Sequence, residues 1–278
     1  MLEGLTTVTA RNALTGEKRL YKYRSMADEV QKSRLKDILF EHRIRFSRPS
    51  ELNDPIEGKP IFQLGDWSSP AYRQTFEDWA WKTQQHVNPR PPKDKFLSWI
   101  RDKSQEFHAE KVRMINAANH AGIDQKWRVL SLSADPTHDL MWSHYADSHR
   151  GVALVFDASG GEFGLAFKVH YVPERIPVDI TTQDWTTILN ATLLTKRATW
   201  AYEQEFRCIA SEPAEPITPK LQAQFMTFPP ERLQGIIFGG KASQTDVSEI
   251  LTLISSRTVP LQVWRAKIAE NGGINVVK

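Results

Sequence analysis

The chain has 278 residues, 40% of them hydrophobic and 25% charged, a composition typical of a globular protein of one large domain. No apolar run approaches the roughly 18 residues that span a bilayer, and the beginning MLEGLTTVTARN lacks a signal-peptide pattern, so we expect a cytoplasmic protein with no membrane partner. Thirty-six basic and 33 acidic residues give a net charge of +3, which permits nucleic-acid contact without indicating it, and the single Cys208 excludes a disulfide framework and a cysteine-based zinc site.

The first predicted elements are a strand, a helix and a second strand. LYKYR at 20–24 alternates aromatic and basic residues, as a strand does. Ser25 is the predicted N-cap of a helix whose apolar side carries Leu35, Ile38 and Leu39. A strand at 44–47 then leads into the turn-forming loop RPSELNDP.

A helical insertion is predicted at about residues 65–125, within a single domain that covers 1–278. Ile100, Phe107 and Met114 recur at seven-residue intervals, which predicts that they share one helix face. The tryptophans of this segment are expected to lie mainly in a core rather than to form a ligand platform.

The remaining chain predicts a β-rich body. Short apolar or alternating runs indicate strands at 129–133, 151–156, 165–171 and 235–239, and helical patterns occur at 139–148 and 185–196. Thr245 is the predicted cap of a helix that is followed by a strand at 261–264, which completes a β-α-β unit. We therefore predict an α+β fold with a mixed or split β-sheet body.

The segment WAYEQEFR contains the most informative polar pattern. On a strand, Glu203, Glu205 and Arg207 would point to one face, opposite Phe206 and Cys208. Two neighbouring carboxylates raise each other's pKa unless a cation such as Arg207 separates their roles. One carboxylate could then hold a sugar hydroxyl and stabilise an oxocarbenium ion. The alternative is a solvated strand face with surface ion pairs, each worth less than about 1 kcal/mol.

Serine and histidine residues mark two further segments. Ser131 and Ser133 would share a strand face and could line a nucleotide pocket, or serve only as turn and cap residues. A Ser/His/Asp hydrolase using His144 and Asp147 is disfavoured because the chain contains no GxSxG.

His144 and Tyr145 share a face of the helix predicted at 139–148, together with Met141 and Ser148. His144 could orient a carboxylate or contact a substrate, or it could be a satisfied, partly buried residue. The histidines at 138, 144 and 149 are spaced too irregularly for a metal site, so we predict no metal ligands.

The first strand offers groups that recognise nucleotides. Tyr21 and Tyr23 would share one face and could stack on a flat heterocycle, while Arg24 could hold a pyrophosphate. The downstream loop with Asn53 and Asp54 could contribute to this site or form only a turn.

The series LYKYR, FSRPSELNDPIE, SLSADP, LMWSHYADSHRGVALVF, KRATWAYEQEFR and GIIFGGK resembles a bacterial family known as the domain of unknown function numbered 2971. The resemblance covers roughly residues 20–60 and 127–240 and leaves out the helical insertion. It implies no chemistry by itself.

A looser resemblance is to the ADP-ribosyltransferases, in which an aromatic-basic first strand, a serine strand and a Glu-x-Glu strand follow one another in a split sheet that holds NAD. It implies that Glu205 is the catalytic glutamate, that Glu203 assists the acceptor, and that Ser131 or Ser133 lines the nicotinamide pocket. Arg24 or Tyr23 would match the first motif. This chain departs from the pattern because Leu132 stands between the two serines.

This second resemblance implies an NAD-dependent transferase that cleaves the nicotinamide–ribose bond and passes ADP-ribose to protein, nucleic acid or water. A role as a bacterial toxin or anti-phage effector is implied in the same way. Two other functions stay open: a non-enzymatic interaction module with structural ion pairs, and a nuclease whose metal ion binds Asp54, Glu57 and the glutamate pair. The sequence leaves the oligomeric state open.

Overall fold

The computed structural model describes residues 17–54, 56–86, 88–175, 177–212, 218–270 and 272–278. The N-terminal segment MLEGLTTVTARN and Pro55 of the predicted loop lie outside these residues. The described helices are α1 (Glu29–Leu39), α2 (Pro70–Thr83), α3 (Lys93–Arg101), α4 (Gln105–Lys126), α5 (Asp139–Tyr145), α6 (Gly161–Gly164), α7 (Trp185–Leu193) and α8 (Gln244–Ile254). None of these helices combines the length and apolarity required to cross a membrane.

The strands follow the predicted α+β organisation. They are β1 (Arg19–Arg24), β2 (Arg43–Arg45), β3 (Phe62–Gln63), β4 (Trp127–Ser133), β5 (Val152–Asp157), β6 (Phe167–Lys168), β7 (His170–Val172), β8 (Val178–Asp179), β9 (Thr195–Arg197), β10 (Glu205–Ser211), β11 (Phe225–Thr227), β12 (Leu233–Phe238), β13 (Gln262–Ile268) and β14 (Ile274–Val277). Eight of them form a mixed sheet in the order β14-β13-β12-β5-β1-β4-β10-β6. The parallel pair β12–β13, connected through α8, forms the predicted β-α-β unit.

The sheet is nearly divided between β1 and β4. These two strands share one residue pair in register, Tyr21 with Ser133, whereas β1 pairs with β5 over six residues and β4 with β10 over seven. Beyond the shared pair the two strands separate, and the backbone of Val129 in β4 pairs instead with Ser47, with both N–H···O distances at 2.8 Å. A cleft therefore lies between two parts of the sheet.

Strand alternation sorts the side chains of the sheet onto two faces. One face packs against α1 and α8 in a large apolar core, which includes Phe206, Cys208 and the predicted helix residue Leu35. The opposite face of β10 carries Glu205 and Arg207, as predicted. On that face Trp142 of α5 lies in a smaller apolar cluster.

Helices α2, α3 and α4 occupy the region of the predicted insertion and share a separate apolar cluster. The prediction that Ile100, Phe107 and Met114 share one helix face is wrong, because Ile100 belongs to α3 and the other two to α4. Met114 is 58% exposed. Trp99, which was expected in the core, is 48% exposed.

Two predicted helix caps are displaced along the chain. Asp28, not Ser25, caps α1, because its carboxylate accepts the Gln31 N–H at 2.8 Å. Ser243, not Thr245, caps α8 and accepts the Asp246 N–H at 3.0 Å. Several side chains near each start can accept a backbone N–H, so the local pattern does not select one of them.

Three predicted elements have other bounds in the structure: two helices end early and one strand is divided. The helix predicted to reach Ser148 ends at Tyr145, because Asp147, Ser148 and His149 have positive φ angles of 48°, 49° and 70°. The helix predicted at 185–196 ends at Leu193, so the next residues form β9. The strand predicted at 165–171 is divided: β6 pairs with β10, and β7 pairs with β9.

Candidate functional site

A cavity of about 200 Å³ opens where β1 and β4 separate. It brings together eight of the ten predicted site residues from four parts of the chain. They are Tyr21, Tyr23, Arg24, Ser131, Ser133, Tyr145, Glu203 and Glu205. The other two, His144 and Arg207, do not line it.

The two glutamates reach the cavity by a route that strand alternation does not describe. Glu203 is the last residue of a 3-10 helix, Ala198–Glu203, and β10 begins only at Glu205. Between them Gln204 has a left-handed φ of 43°, which turns the chain sharply. The prediction that a single strand places both carboxylates is therefore wrong, although both side chains are buried at the same cavity.

Five charged residues form what we call the buried ion cluster: Glu57, Lys196, Glu203, Glu205 and Arg207. Arg207 holds Glu205 through two hydrogen bonds, Nε to Oε1 and Nη2 to Oε2, each 2.8 Å long. Lys196 Nζ lies 2.6 Å from Glu203 Oε2 and 3.3 Å from Glu205 Oε2. Each member is at most 6% exposed, so the alternative of a solvated strand face is wrong.

Glu57 completes the cluster from the loop that follows β2. Arg207 donates Nη2 to Glu57 and Nη1 to the Leu193 carbonyl at 2.7 Å. Glu57 Oε2 has no hydrogen bond with any residue that the structure describes, and the Lys196 ammonium lies 3.6 Å away. Three carboxylates and two cations give the cluster a formal charge of −1 at this wall of the cavity.

The surroundings of Glu203 and Glu205 shift the pKa values of the two carboxylates in opposite directions. Burial would raise the pKa of Glu205, but the charges of Arg207 and Lys196 outweigh it and lower that pKa to about 2. Burial, together with the neighbouring Glu205 charge, raises the pKa of Glu203 despite Lys196. Tyr145 donates its hydroxyl to Glu203 Oε1 at 2.5 Å. Glu205 is thus a fixed charge, and Glu203 is the better proton acceptor.

The aromatic and hydroxyl residues differ in how far they are available to a ligand. Tyr23 donates its hydroxyl to the Asp135 carbonyl at 2.7 Å and packs edge-on against Trp142, so its ring is committed to the fold. Ser133 likewise donates to the Glu203 carbonyl at 2.7 Å. Tyr21 and Ser131 are only half-buried, so they are more accessible to a ligand than Tyr23 and Ser133.

Lys22 fills part of the gap between the two strands. Its ammonium donates to the Ser131 carbonyl at 2.7 Å, where the β1–β4 ladder has already ended. Burial and the Arg24 charge lower the pKa of Lys22 to about 7. Arg24 has a buried Nε without a hydrogen-bond partner among the described residues. Both residues line the cavity, which gives one side of it a basic character.

Other predicted groups lie elsewhere. His144 is exposed, and its ring contacts Tyr202 outside the cavity. Asp54, which was considered for the nucleotide loop and the nuclease, is paired with Arg197 Nε at 3.1 Å. Asp147, which was considered for the disfavoured hydrolase, is paired with Arg150 at 2.8 Å. Within the described ranges, no group of three or more His, Cys, Asp or Glu side chains is arranged to hold a metal ion.

Three residues of the site were missed as site residues by the sequence analysis. Lys22 was seen only as part of the first strand, and Glu57 only as a ligand of the alternative nuclease. Lys196 belongs to the quoted motif KRATWAYEQEFR but was placed in a helix. The pattern that could have identified Lys196 is a basic residue seven positions before a Glu-x-Glu.

Comparison with known proteins gives one match, to a family model. Neither the curated proteins nor the solved structures contain a match to this chain. A family model described as "Protein of unknown function (DUF2971)" matches residues 141–208. This segment carries Tyr145, Lys196, Glu203 and Glu205 of the site as well as Arg207. The match over this segment supports the predicted resemblance of the chain to the DUF2971 family.

Proposed function

We propose that this protein binds NAD in the cleft and cleaves its nicotinamide–ribose bond, transferring ADP-ribose to an acceptor. The observation that carries the proposal is the convergence of the first strand, the serine strand and both glutamates on one cavity. If these residues had lain far apart, they would have favoured a non-enzymatic interaction module. A concave site with perturbed carboxylates is also where catalysis is most often found.

Glu205 supplies a permanent negative charge to the wall of the cavity. In the proposed step the C1′–N bond breaks, its electron pair neutralises the pyridinium nitrogen as nicotinamide leaves, and positive charge develops on the ribose. A carboxylate held ionised by Arg207 and Lys196 stabilises that charge without reorganisation. The lone pair of the acceptor then forms the new bond at C1′.

Glu203 takes the proton of the acceptor in this scheme. Its raised pKa and its contact with Tyr145 suit a group that changes protonation during the reaction. The acceptor can be protein, nucleic acid or water, and its identity is part of the test below.

The size of the cavity limits how NAD would lie. Ligand sites for drug-sized molecules usually measure about 300–1,000 Å³. A cavity of about 200 Å³ encloses nicotinamide and its ribose, and the rest of the dinucleotide extends through the opening past Arg24. Tyr21 is the side chain available to pack against the flat ring.

A second candidate is recognition of a ligand without turnover. Glu205 accepts two hydrogen bonds from Arg207 and one from Lys196, which uses most of the acceptor capacity of a carboxylate. Such saturation favours a structural role. The nuclease has no comparable support, because Lys196 and Arg207 occupy the space between the carboxylates.

The test is incubation of the protein with NAD that is labelled in the nicotinamide ring. We expect the wild type to release nicotinamide and Glu205→Gln to release at least about a hundredfold less, as when a positioned electrostatic group is removed. The matched control is Glu110→Gln, an exposed glutamate of α4, which should behave as the wild type. Unfolding curves of all three proteins separate loss of chemistry from loss of the fold.

Equal release by Glu205→Gln and wild type would refute the proposed role of Glu205. Absence of nicotinamide release by the folded wild type, with protein extract and nucleic acid present, would refute the proposed function. NAD binding without release would then support the recognition module.

A further inference from the structure

A second cavity of about 60 Å³, which we call the arginine chamber, adjoins the cleft at Arg24. It lies between β1, α1 and β2. Its charged lining consists of Arg24, Arg34, Asp37, Arg43 and Arg45. The chamber shares Arg24, Arg45 and Ser47 with the main cavity, so the two cavities are neighbours.

Positive charge exceeds negative charge around the chamber. Arg43 Nη2 is paired with Asp37 at 2.6 Å, and Arg45 Nη2 with Glu51 at 2.9 Å. In the part of the chain that the structure describes, Arg34 makes no ion pair and Arg24 Nε has no hydrogen bond. Four arginines and two carboxylates leave a formal surplus of +2.

The surplus is unfavourable without an anion. Burial, and then the charges of Arg34 and Arg45, lower the pKa of Arg24 to about 10, so the three guanidinium groups repel one another. A buried donor without a partner adds the cost of desolvation. A bound oxyanion would remove both penalties, since guanidinium groups bind phosphate oxygens in pairs.

The volume of the chamber fits one phosphate group. About 10–15 Å³ of such space suffices for one water molecule. A cavity of about 60 Å³ therefore holds a group of four or five heavy atoms, whereas a nucleic-acid backbone needs an extended groove. A phosphate monoester carries a charge of about −1.5 to −2 at pH 7, which matches the surplus.

We propose that the arginine chamber binds a single phosphate group of a nucleotide, the one attached to the nucleoside part that lies in the main cavity. The phosphate site follows from the chamber alone. The placement of the nucleoside rests on the proposed function, because it assigns the main cavity to the nicotinamide and its ribose.

The first experiment measures binding of inorganic phosphate by calorimetry, with chloride added to keep the ionic strength constant. The test variant is Arg34→Gln, because Arg34 is an exposed residue of the chamber lining. The matched control is Arg113→Gln, an exposed arginine on α4. We expect saturable binding to the wild type and the control, and an affinity about tenfold lower in Arg34→Gln, as for loss of one charge-assisted hydrogen bond.

Equal phosphate affinity of Arg34→Gln and wild type, or no saturable binding to the wild type, would overturn the phosphate site whatever happens with NAD. Weaker binding by the variant, with NAD left intact by the wild type, would support the phosphate site and count against the proposed function alone.

The second experiment compares nicotinamide mononucleotide with nicotinamide riboside, which lacks the phosphate. We expect the mononucleotide to bind more tightly than either the riboside or inorganic phosphate, and Arg34→Gln to reduce that advantage about tenfold. Equal affinities for mononucleotide and riboside would show that the two cavities do not act on one ligand.

Discussion

Replacing Arg207 with methionine is the sharpest test of the buried ion cluster. Arg207 is fully buried and makes two 2.8 Å bonds to Glu205, one contact with Glu57 and one 2.7 Å bond to the Leu193 carbonyl. Without it, three carboxylates remain with Lys196 as the single cation of the cluster, so the formal charge changes from −1 to −2. Removing one partner of a buried pair typically costs about 3–5 kcal/mol, and we expect Arg207→Met to lose that much free energy of unfolding.

The measurement is urea unfolding followed by the fluorescence of the nine tryptophans. Arg150→Met is the control, because Arg150 forms a surface pair with Asp147 at 2.8 Å and is 57% exposed. We expect it to lose less than about 1 kcal/mol.

The double variant Arg207→Met with Glu205→Met distinguishes lost charge pairing from lost packing. It restores a cluster charge of −1, from Glu57, Lys196 and Glu203, and should recover part of the stability. A loss in Arg207→Met no greater than in the control, or a double variant less stable than the single one, would refute the account of the cluster.

Two further predictions concern pH. Because the pKa of Glu205 is lowered to about 2 in the folded protein, its stabilising contribution is present above pH 4.5 and disappears as the pH falls from about 4.5 to 2. Glu205→Gln should lose this pH dependence of stability. Parallel acid unfolding curves for the variant and the wild type would contradict the prediction. The pKa of Lys22 is lowered to about 7, so the unfolded chain binds more protons between pH 7 and 10.5 and stability from this residue rises with pH, by up to about 1.4 kcal/mol per unit. Lys22→Met should lack that rise in urea unfolding series, and an identical alkaline slope would exclude a perturbed lysine.

Local patterns were sufficient for most strands and for the core. Alternation in LYKYR correctly placed Tyr21 and Tyr23 on one face of the sheet, and the face of β10 with Phe206 and Cys208 was also correct. Successive side chains of a strand point to opposite faces, so the alternation of apolar residues indicates which of them are buried. These features therefore follow from residues that are neighbours in the sequence.

The site depends on contacts that no local pattern contains. Arg207 and Glu57 are 150 positions apart, and the cleft exists because β1 and β4 separate after a single pair. Likewise, positive φ angles at Asp147, Ser148 and His149 end α5 early, although none of these residues is glycine. Long-range packing sets these conformations, which is why helix ends and Lys196 were predicted incorrectly.

The single Tyr21–Ser133 pair gives the sheet a line along which it can hinge. Widening the gap there disrupts one backbone pair and the side-chain bonds from Lys22 to the Ser131 carbonyl and from Tyr23 to the Asp135 carbonyl, whereas the flanking ladders stay whole. Amide protons of Tyr21 and Ser133 should therefore exchange with deuterium sooner than those of β5 and β10, and a molecule wedged in the gap should change their exchange first. The most easily deformed part of the sheet is therefore the opening of the cleft.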